Sequence, residues 1–262
     1  KQLMDRANEN ASQALQRSEG ARYLMTHSFQ KMQLEILNNC DVFLPNAKSE
    51  MDQIAAHLGF RTDNYVVVPN AVDVASIKAA KEVDSTGYER FSGWIVCIGR
   101  IDIRKNQLNL IKAVEGSDYK VVFVGKKSPG HIEYANKVVS EIEANPNMEW
   151  IEQIPNEDIY KLCRECRVSV LPSWFETPGL VSLEAAAMGC NIVVSPKGTT
   201  RDYFGDSAFY CDVSSPSSIR AALDEAYAVN YDEVFGRKVI TEYTWEKAAE
   251  KTLDGYQLAL KG

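Results

Sequence analysis

From about residue 94 onward the chain alternates between short apolar runs and longer amphipathic ones. The runs WIVCIG (94–99), KVVFVG (120–125), MEWIEQ (148–153), VSVLP (168–172), NIVVSP (191–196) and AFYCD (208–212) are rich in β-branched and aromatic residues. That composition and their shortness predict strands. Between most of them lie NQLNLIKAVEG, YANKVVSEIEAN, NEDIYKLCREC and LVSLEAAAM, whose patterns predict helices. Strand and helix in alternation mean an α/β fold: a Rossmann-like parallel sheet with right-handed crossovers and helices on both faces. A ligand of such a sheet is expected at the carboxyl ends of its strands.

The upstream part reads differently. Residues 1–39 predict mainly helix, polar at first and then amphipathic through LMTHSFQKMQLEILNN. DVFLPN (41–46) predicts a short strand, Ser49 a cap for a helix SEMDQIAAHLG that closes on Gly59, and YVVVPNAVD a strand from Tyr65 into a turn at Asn70. These pieces are too few for an independent α/β layer. Residues 75–92 are polar and mixed, a linker by composition. At the other end SSPSSIRAALDEAYA predicts a capped helix. TWEKAAEKTLDGYQLAL predicts another from Thr244, with Ala248, Leu253, Tyr256 and Leu260 on one apolar stripe.

Composition narrows the function classes. A chain of 262 residues can bury a full core, and a net charge of −7 argues against general affinity for nucleic acid. No run approaches the roughly 18 apolar residues of a membrane span, and no signal peptide opens the chain. The expectation is a cytoplasmic protein, with peripheral placement at the inner membrane face as the alternative. Six scattered cysteines suit reduced thiols, and the single C-x-x-C of Cys163 and Cys166, read as mid-helix with no second pair, is taken as coincidence. No G-x-G-x-x-G, G-x4-G-K-[ST], G-x-S-x-G or D-x-D motif occurs, and His27, His57 and His131 are not spaced as a metal pair. No metal and no cofactor are therefore expected.

The chemistry concentrates in Ser173–Cys190, SWFETPGLVSLEAAAMGC. Glu176 stands in the loop before the LVSLEAAAM helix and Glu184 about one turn inside it, in otherwise apolar surroundings. Between them Gly179, Leu180 and Val181 supply backbone N–H groups at a helix start, where unpaired donors and the dipole favour an anion. Carboxylates accept hydrogen bonds from hydroxyls while N–H groups donate to phosphate oxygens, so the layout suits a polyol joined to a diphosphate. At the first strand end Gly99, Arg100 and, after four intervening residues, Lys105 place a guanidinium and an ammonium above the same sheet edge. Gly125-Lys126-Lys127 reads as a solvated loop and Asn156 as a helix cap. Arg201 can reach an acidic sugar or a partner domain, and equally can form a surface ion pair.

Glu176, seven intervening residues and Glu184, with Pro178-Gly179-Leu180 inside and EAAAMG at the end, resemble the signature of retaining nucleotide-sugar glycosyltransferases of family four, which have the GT-B fold. The resemblance covers about residues 35–260 and is specific at 99–106 and 173–189. It implies that residues 1–75 are the tail of an N-terminal acceptor domain with its crossover, and that 76–262 form the Rossmann-like donor-binding domain with a C-terminal helix that packs back towards the missing acceptor domain. The implied reaction carries a sugar from a nucleotide diphosphate sugar to a hydroxyl of a glycan, lipid or small-molecule acceptor, with retention. Arg100 and Lys105 would then stabilise the departing diphosphate, Glu176 hold sugar hydroxyls, Glu184 the ribose, Ile154 the base, and Gly99, Gly179, Leu180 and Val181 line the donor. A non-catalytic nucleotide-sugar binding module and a GT-B epimerase or phosphorylase are the rival readings.

Overall fold

Side chains of the apolar runs alternate between two cores, one on each face of a single sheet. Val96, Ile98, Val122, Val124, Leu171, Ile192 and Val194 enter one; Ile95, Cys97, Val121, Phe123, Val168, Val170 and Val193 enter the other. A strand covered on both faces has little room for polar side chains, which is why these runs are continuously apolar. The computed structural model describes residues 28–261. Its strands are β1 (Ile95–Ile98), β2 (Val121–Val124), β3 (Met148–Ile151), β4 (Val168–Leu171), β5 (Asn191–Val194) and β6 (Ala208–Tyr210). All pair in parallel, in the order β3-β2-β1-β4-β5-β6. The order reverses between β1 and β4, and there the register is short: Ile95 opposite Val168 and Val96 opposite Ser169 only. The two strands part after that, so their carboxyl ends flank a crevice.

The helices are α1 (Phe29–Asn38), α2 (Lys48–Leu58), α3 (Val74–Glu82), α4 (Gln107–Val114), α5 (Ile132–Glu143), α6 (Asn156–Glu165), α7 (Leu180–Met188), α8 (Thr200–Phe204), α9 (Pro216–Ala228), α10 (Glu233–Glu242) and α11 (Trp245–Ala259). One face of the sheet is covered by α4, α5 and α9, the other by α3, α6, α7, α8 and α10. The alanines of α7 let it lie close against the sheet. Ser182, Leu183 and Ala185–Met188 are all buried, and Gly189, at φ 111°, ends the helix in the left-handed region that glycine takes without penalty.

The structure departs from the sequence pattern at several places. The 75–92 segment is not a linker of polar coil. Asp73 accepts a hydrogen bond from the Ser76 N–H and starts α3, whose Ile77 and Ala80 enter the same core as Val96. The runs at 41–46 and from Tyr65 form no full strands: Phe43 and Tyr65 share one parallel bridge, and Val72 another with Thr244. Ser49 does not cap α2, which starts from Ala47; its hydroxyl bonds Asp202 at 2.6 Å instead. Asn156 is the first residue of α6, after Pro155, and forms no cap. The expected apolar stripe of α11 is largely outside: Ala248 is buried, whereas Leu253, Tyr256 and Leu260 are exposed. Cys163 and Cys166 lie at the end of α6, not its middle, and both are buried free thiols. The helix expected over residues 1–27, and His27 with it, lies outside the described residues.

The upstream segment is tied to the sheet domain. Ala47 and Val72 share its core, and the Tyr203 hydroxyl accepts from the Asn70 N–H at 2.8 Å while donating to the Asn46 carbonyl at 2.9 Å. No helix among the described residues is long and apolar enough to cross a membrane.

Candidate functional site

Two loops meet above the crevice between β1 and β4. The first leaves β1 at Gly99, forms a short turn over Ile103–Lys105, and enters α4 through Asn106 in the left-handed region. Asp102 accepts from the Lys105 N–H at 3.2 Å, which fixes that turn. A Cβ at Gly99 would sit 3.3 Å from Lys105 Cε, so the missing side chain makes room for the lysine stem. The second loop runs from β4 through Ser173–Gly179 to α7. It is held on its far side by a bridge between Glu176 and Gly198, where a Cβ on Gly198 would stand 1.9 Å from the Glu176 carbonyl oxygen. Only glycine permits that approach.

Across the crevice the Lys105 ammonium donates to Glu176 Oε1 at 2.6 Å and the Arg104 guanidinium donates to the same oxygen at 3.0 Å. Glu176 and Lys105 are both largely enclosed, with side chains 8 % and 13 % exposed, so the pair is only weakly screened by solvent. Two cations on one carboxylate leave net positive charge beside the start of α7. There Gly179, at φ 83°, stands before the helix, and the N–H groups of Leu180 and Val181 have no hydrogen-bond partner among the described residues. Unpaired donors and the positive helix end add to the attraction for an anion. Ser173 and Ser182, both fully buried in the β4 loop and the first turn of α7, keep hydroxyl oxygens with no partner among the described residues.

Glu184 lies one turn further along α7. Burial pushes its carboxyl above the usual range; the Tyr160 hydroxyl, donating to Oε1 at 3.3 Å, opposes this and the nearby Asp73 carboxylate adds to it. Ile154 is half-buried between β3 and α6, packed against the core that α7 also joins.

The spacing that singled out Arg100 did not select the guanidinium that reaches Glu176. Arg100 is 67 % exposed and stands 4.0 Å from Asp102, while Arg104 makes the contact. No periodicity separates the two arginines; the turn over Ile103–Lys105 decides. Arg201 stacks its guanidinium over Tyr210, 4.2 Å from the ring centroid. No cluster of three or more potential metal ligands exists among the described residues.

The profile of the family described as glycosyl transferases group 1 matches residues 92–238. The chain belongs to that family. It is 24 % identical over 243 residues to a D-inositol 3-phosphate glycosyltransferase of Paenarthrobacter aurescens, covering 87 % of this chain and 60 % of the relative. It is 25 % identical over 191 residues to an uncharacterized glycosyltransferase of Methanocaldococcus jannaschii, covering 68 % and 48 %. The chain thus spans less than two thirds of either relative's length. Among solved structures, a glycosyltransferase from Rickettsia africae superimposes with a TM-score of 0.76 at 15 % identity, over 90 % of this chain and 68 % of that one. Sucrose-phosphate synthase from Thermosynechococcus elongatus gives 0.69 at 19 %, over 94 % and 65 %. The fold is the one shared by GT-B glycosyltransferases, in the position of their C-terminal domain.

Proposed function

We propose that this chain carries the donor-binding half of a retaining, metal-independent glycosyltransferase, which moves a sugar from a nucleotide diphosphate sugar to an acceptor hydroxyl. The observation that carries the reading is the meeting of Lys105 and Glu176 at 2.6 Å over the β1–β4 crevice, beside the N-terminus of α7. A diphosphate needs fixed positive donors where its charge grows as the sugar–oxygen bond breaks. Lys105, the more solvent-exposed Arg100 and the N–H groups of Leu180 and Val181 supply them. The sugar needs a hydroxyl acceptor, which Glu176 supplies through Oε2; the ribose needs another, which Glu184 supplies. Ile154, half-buried between β3 and α6, contacts the base in this reading.

In this reading the acceptor oxygen attacks the anomeric carbon on the face from which the diphosphate leaves, and a departing phosphate oxygen takes the acceptor proton. The cations hold that oxygen in place. Residues 1–75 belong to the acceptor domain and its crossover, and the rest of that domain docks as a partner and brings the glycan, lipid or small-molecule acceptor. Calorimetry with UDP, GDP and ADP tests the donor half. One of them binds, and Lys105→Ala weakens it about tenfold to a hundredfold, as expected for loss of one charge-assisted hydrogen bond of roughly 1.5–3 kcal/mol. Equal binding by wild type and Lys105→Ala would overturn the assignment.

A further inference from the structure

Arg104 joins the two loops more extensively than any ion pair requires. Its carbonyl accepts from the Trp174 N–H at 2.9 Å, and its Nη1 donates to the Phe175 carbonyl at 2.8 Å and to Glu176 Oε1 at 3.0 Å. The three bonds run to three consecutive residues of the β4–α7 loop. On the opposite flank the Thr199 N–H donates to the Glu176 carbonyl at 2.9 Å, so the Glu176 backbone is held from both sides. The carboxylate is held as well, but through one oxygen. Arg104 and Lys105 both take Oε1, which leaves Oε2 facing Gly179, 3.7 Å from where a Cβ on that glycine would stand. Oε2 therefore lies beside the residue that precedes α7, and on the nucleotide-sugar reading a sugar whose diphosphate is held at that helix start comes within its reach.

We propose that Arg104 is a positioning residue for the donor sugar: it locks the 175–176 peptide and Oε1, so that Oε2 is presented to sugar hydroxyls, while phosphate is held by other groups. Its Nη1 is already committed to the β4–α7 loop, and its side chain is 46 % exposed where that of Lys105 is 13 %, so the lysine is the inner charge. The inference rests on the nucleotide-sugar reading of this site. It predicts a separation that a phosphate ligand would not show. Loss of Arg104 should weaken the nucleotide sugar more than the bare nucleotide, because a loosened Glu176 costs sugar contacts, while the half-exposed guanidinium charge lost with it acts on both ligands alike.

The test is calorimetry on wild type, Arg104→Ala, Arg104→Lys and Lys105→Ala with three pairs of ligands: UDP and UDP-glucose, GDP and GDP-mannose, ADP and ADP-glucose. For the pair that wild type binds, Arg104→Ala should raise the ratio of Kd for the nucleotide sugar to Kd for the nucleotide about tenfold, the nucleotide itself weakening by no more than about fivefold through the lost charge. Arg104→Lys, which keeps a donor within reach of Oε1, should bring the ratio back to within about threefold. A structural role alone would not move that ratio. An equal loss on both ligands would make Arg104 a phosphate ligand and overturn the proposal, as would an unchanged ratio in Arg104→Ala. If wild type binds none of the six ligands, the nucleotide-sugar reading fails and the proposal with it, a result distinct from a wild type that binds and an Arg104→Ala that binds identically.

Discussion

Glu176→Gln should bind a bare nucleoside diphosphate more tightly than wild type, while losing its hold on the sugar. Glu176 Oε1 lies 2.6 Å from the Lys105 ammonium, and both side chains are largely enclosed. An anion that uses Lys105 must share it with this carboxylate. A phosphate about 5 Å from the carboxylate, at an effective dielectric of ~20, is repelled by about 3 kcal/mol. The open side of the crevice and the 46 % exposed Arg104 admit solvent, which reduces the figure to roughly half. Removing the charge then gains about 1.5 kcal/mol, on the order of tenfold in Kd. Glutamine keeps the size and a carbonyl acceptor for the two cations, but its hydrogen bonds to sugar hydroxyls are no longer charge-assisted, a loss of similar size. Titration calorimetry of the bare nucleotide and its sugar conjugate, at low salt and near 0.15 M, reads both effects, and a thermal melt checks that the variant is folded. Weaker binding of the bare nucleotide by Glu176→Gln, or the same change on both ligands, would refute the reasoning.

Glu184→Gln tests the buried carboxylate through stability. Burial raises the folded-state pKa of Glu184, so below the ordinary carboxylate range both states are protonated and the substitution changes little. As pH rises through that range towards the raised folded value, wild type loses stability that the glutamine variant keeps. Melts between pH 4 and 8 should show the variant melting higher at pH 7, with the gap closing at the acid end; a gap independent of pH would contradict the burial argument. Gly198→Ala should destabilise the domain by about 2–3 kcal/mol, because a Cβ would meet the Glu176 carbonyl at 1.9 Å and the backbone sits at φ 94°. Denaturant unfolding measures it, and a loss under about 0.5 kcal/mol would show that the bridge to Glu176 yields easily.

The sheet was legible because its four central strands are buried on both faces, and most helices between strands because their apolar positions recur along one side. Strand ends differ from the apolar runs by a residue or two, since the Gly and Pro that close the runs lie past the last paired residue. The 75–92 segment misled because its helix needs few buried positions: Ile77 and Ala80 suffice, and the Asp73 cap three residues before Ser76 was the available signal. Ser49 misled for a non-local reason, as the carboxylate that takes its hydroxyl comes from Asp202, far along the chain. On α11 the buried contact is made by absence of a side chain. Leu44 packs so close to Gly255 that a Cβ there would lie 2.3 Å from Leu44 Cδ2, and the larger apolar residues of the stripe stay outside. At the site, the residue types and spacing pointed to Lys105 and Glu176, and the structure brings them together. Arg104 was invisible, because its role depends on which way one turn aims a side chain.

A diphosphate bound at Lys105 and the start of α7 would perturb the backbone amides there. Amide-resolved NMR titration of the isotopically labelled chain with UDP, GDP and ADP tests that binding most directly. One of the three should produce saturable shifts at the Leu180 and Val181 amides and in the Arg100–Lys105 loop, and these shifts should disappear in Lys105→Ala. Saturable shifts confined to other parts of the fold, or shifts at Leu180 and Val181 that survive Lys105→Ala unchanged, would contradict it.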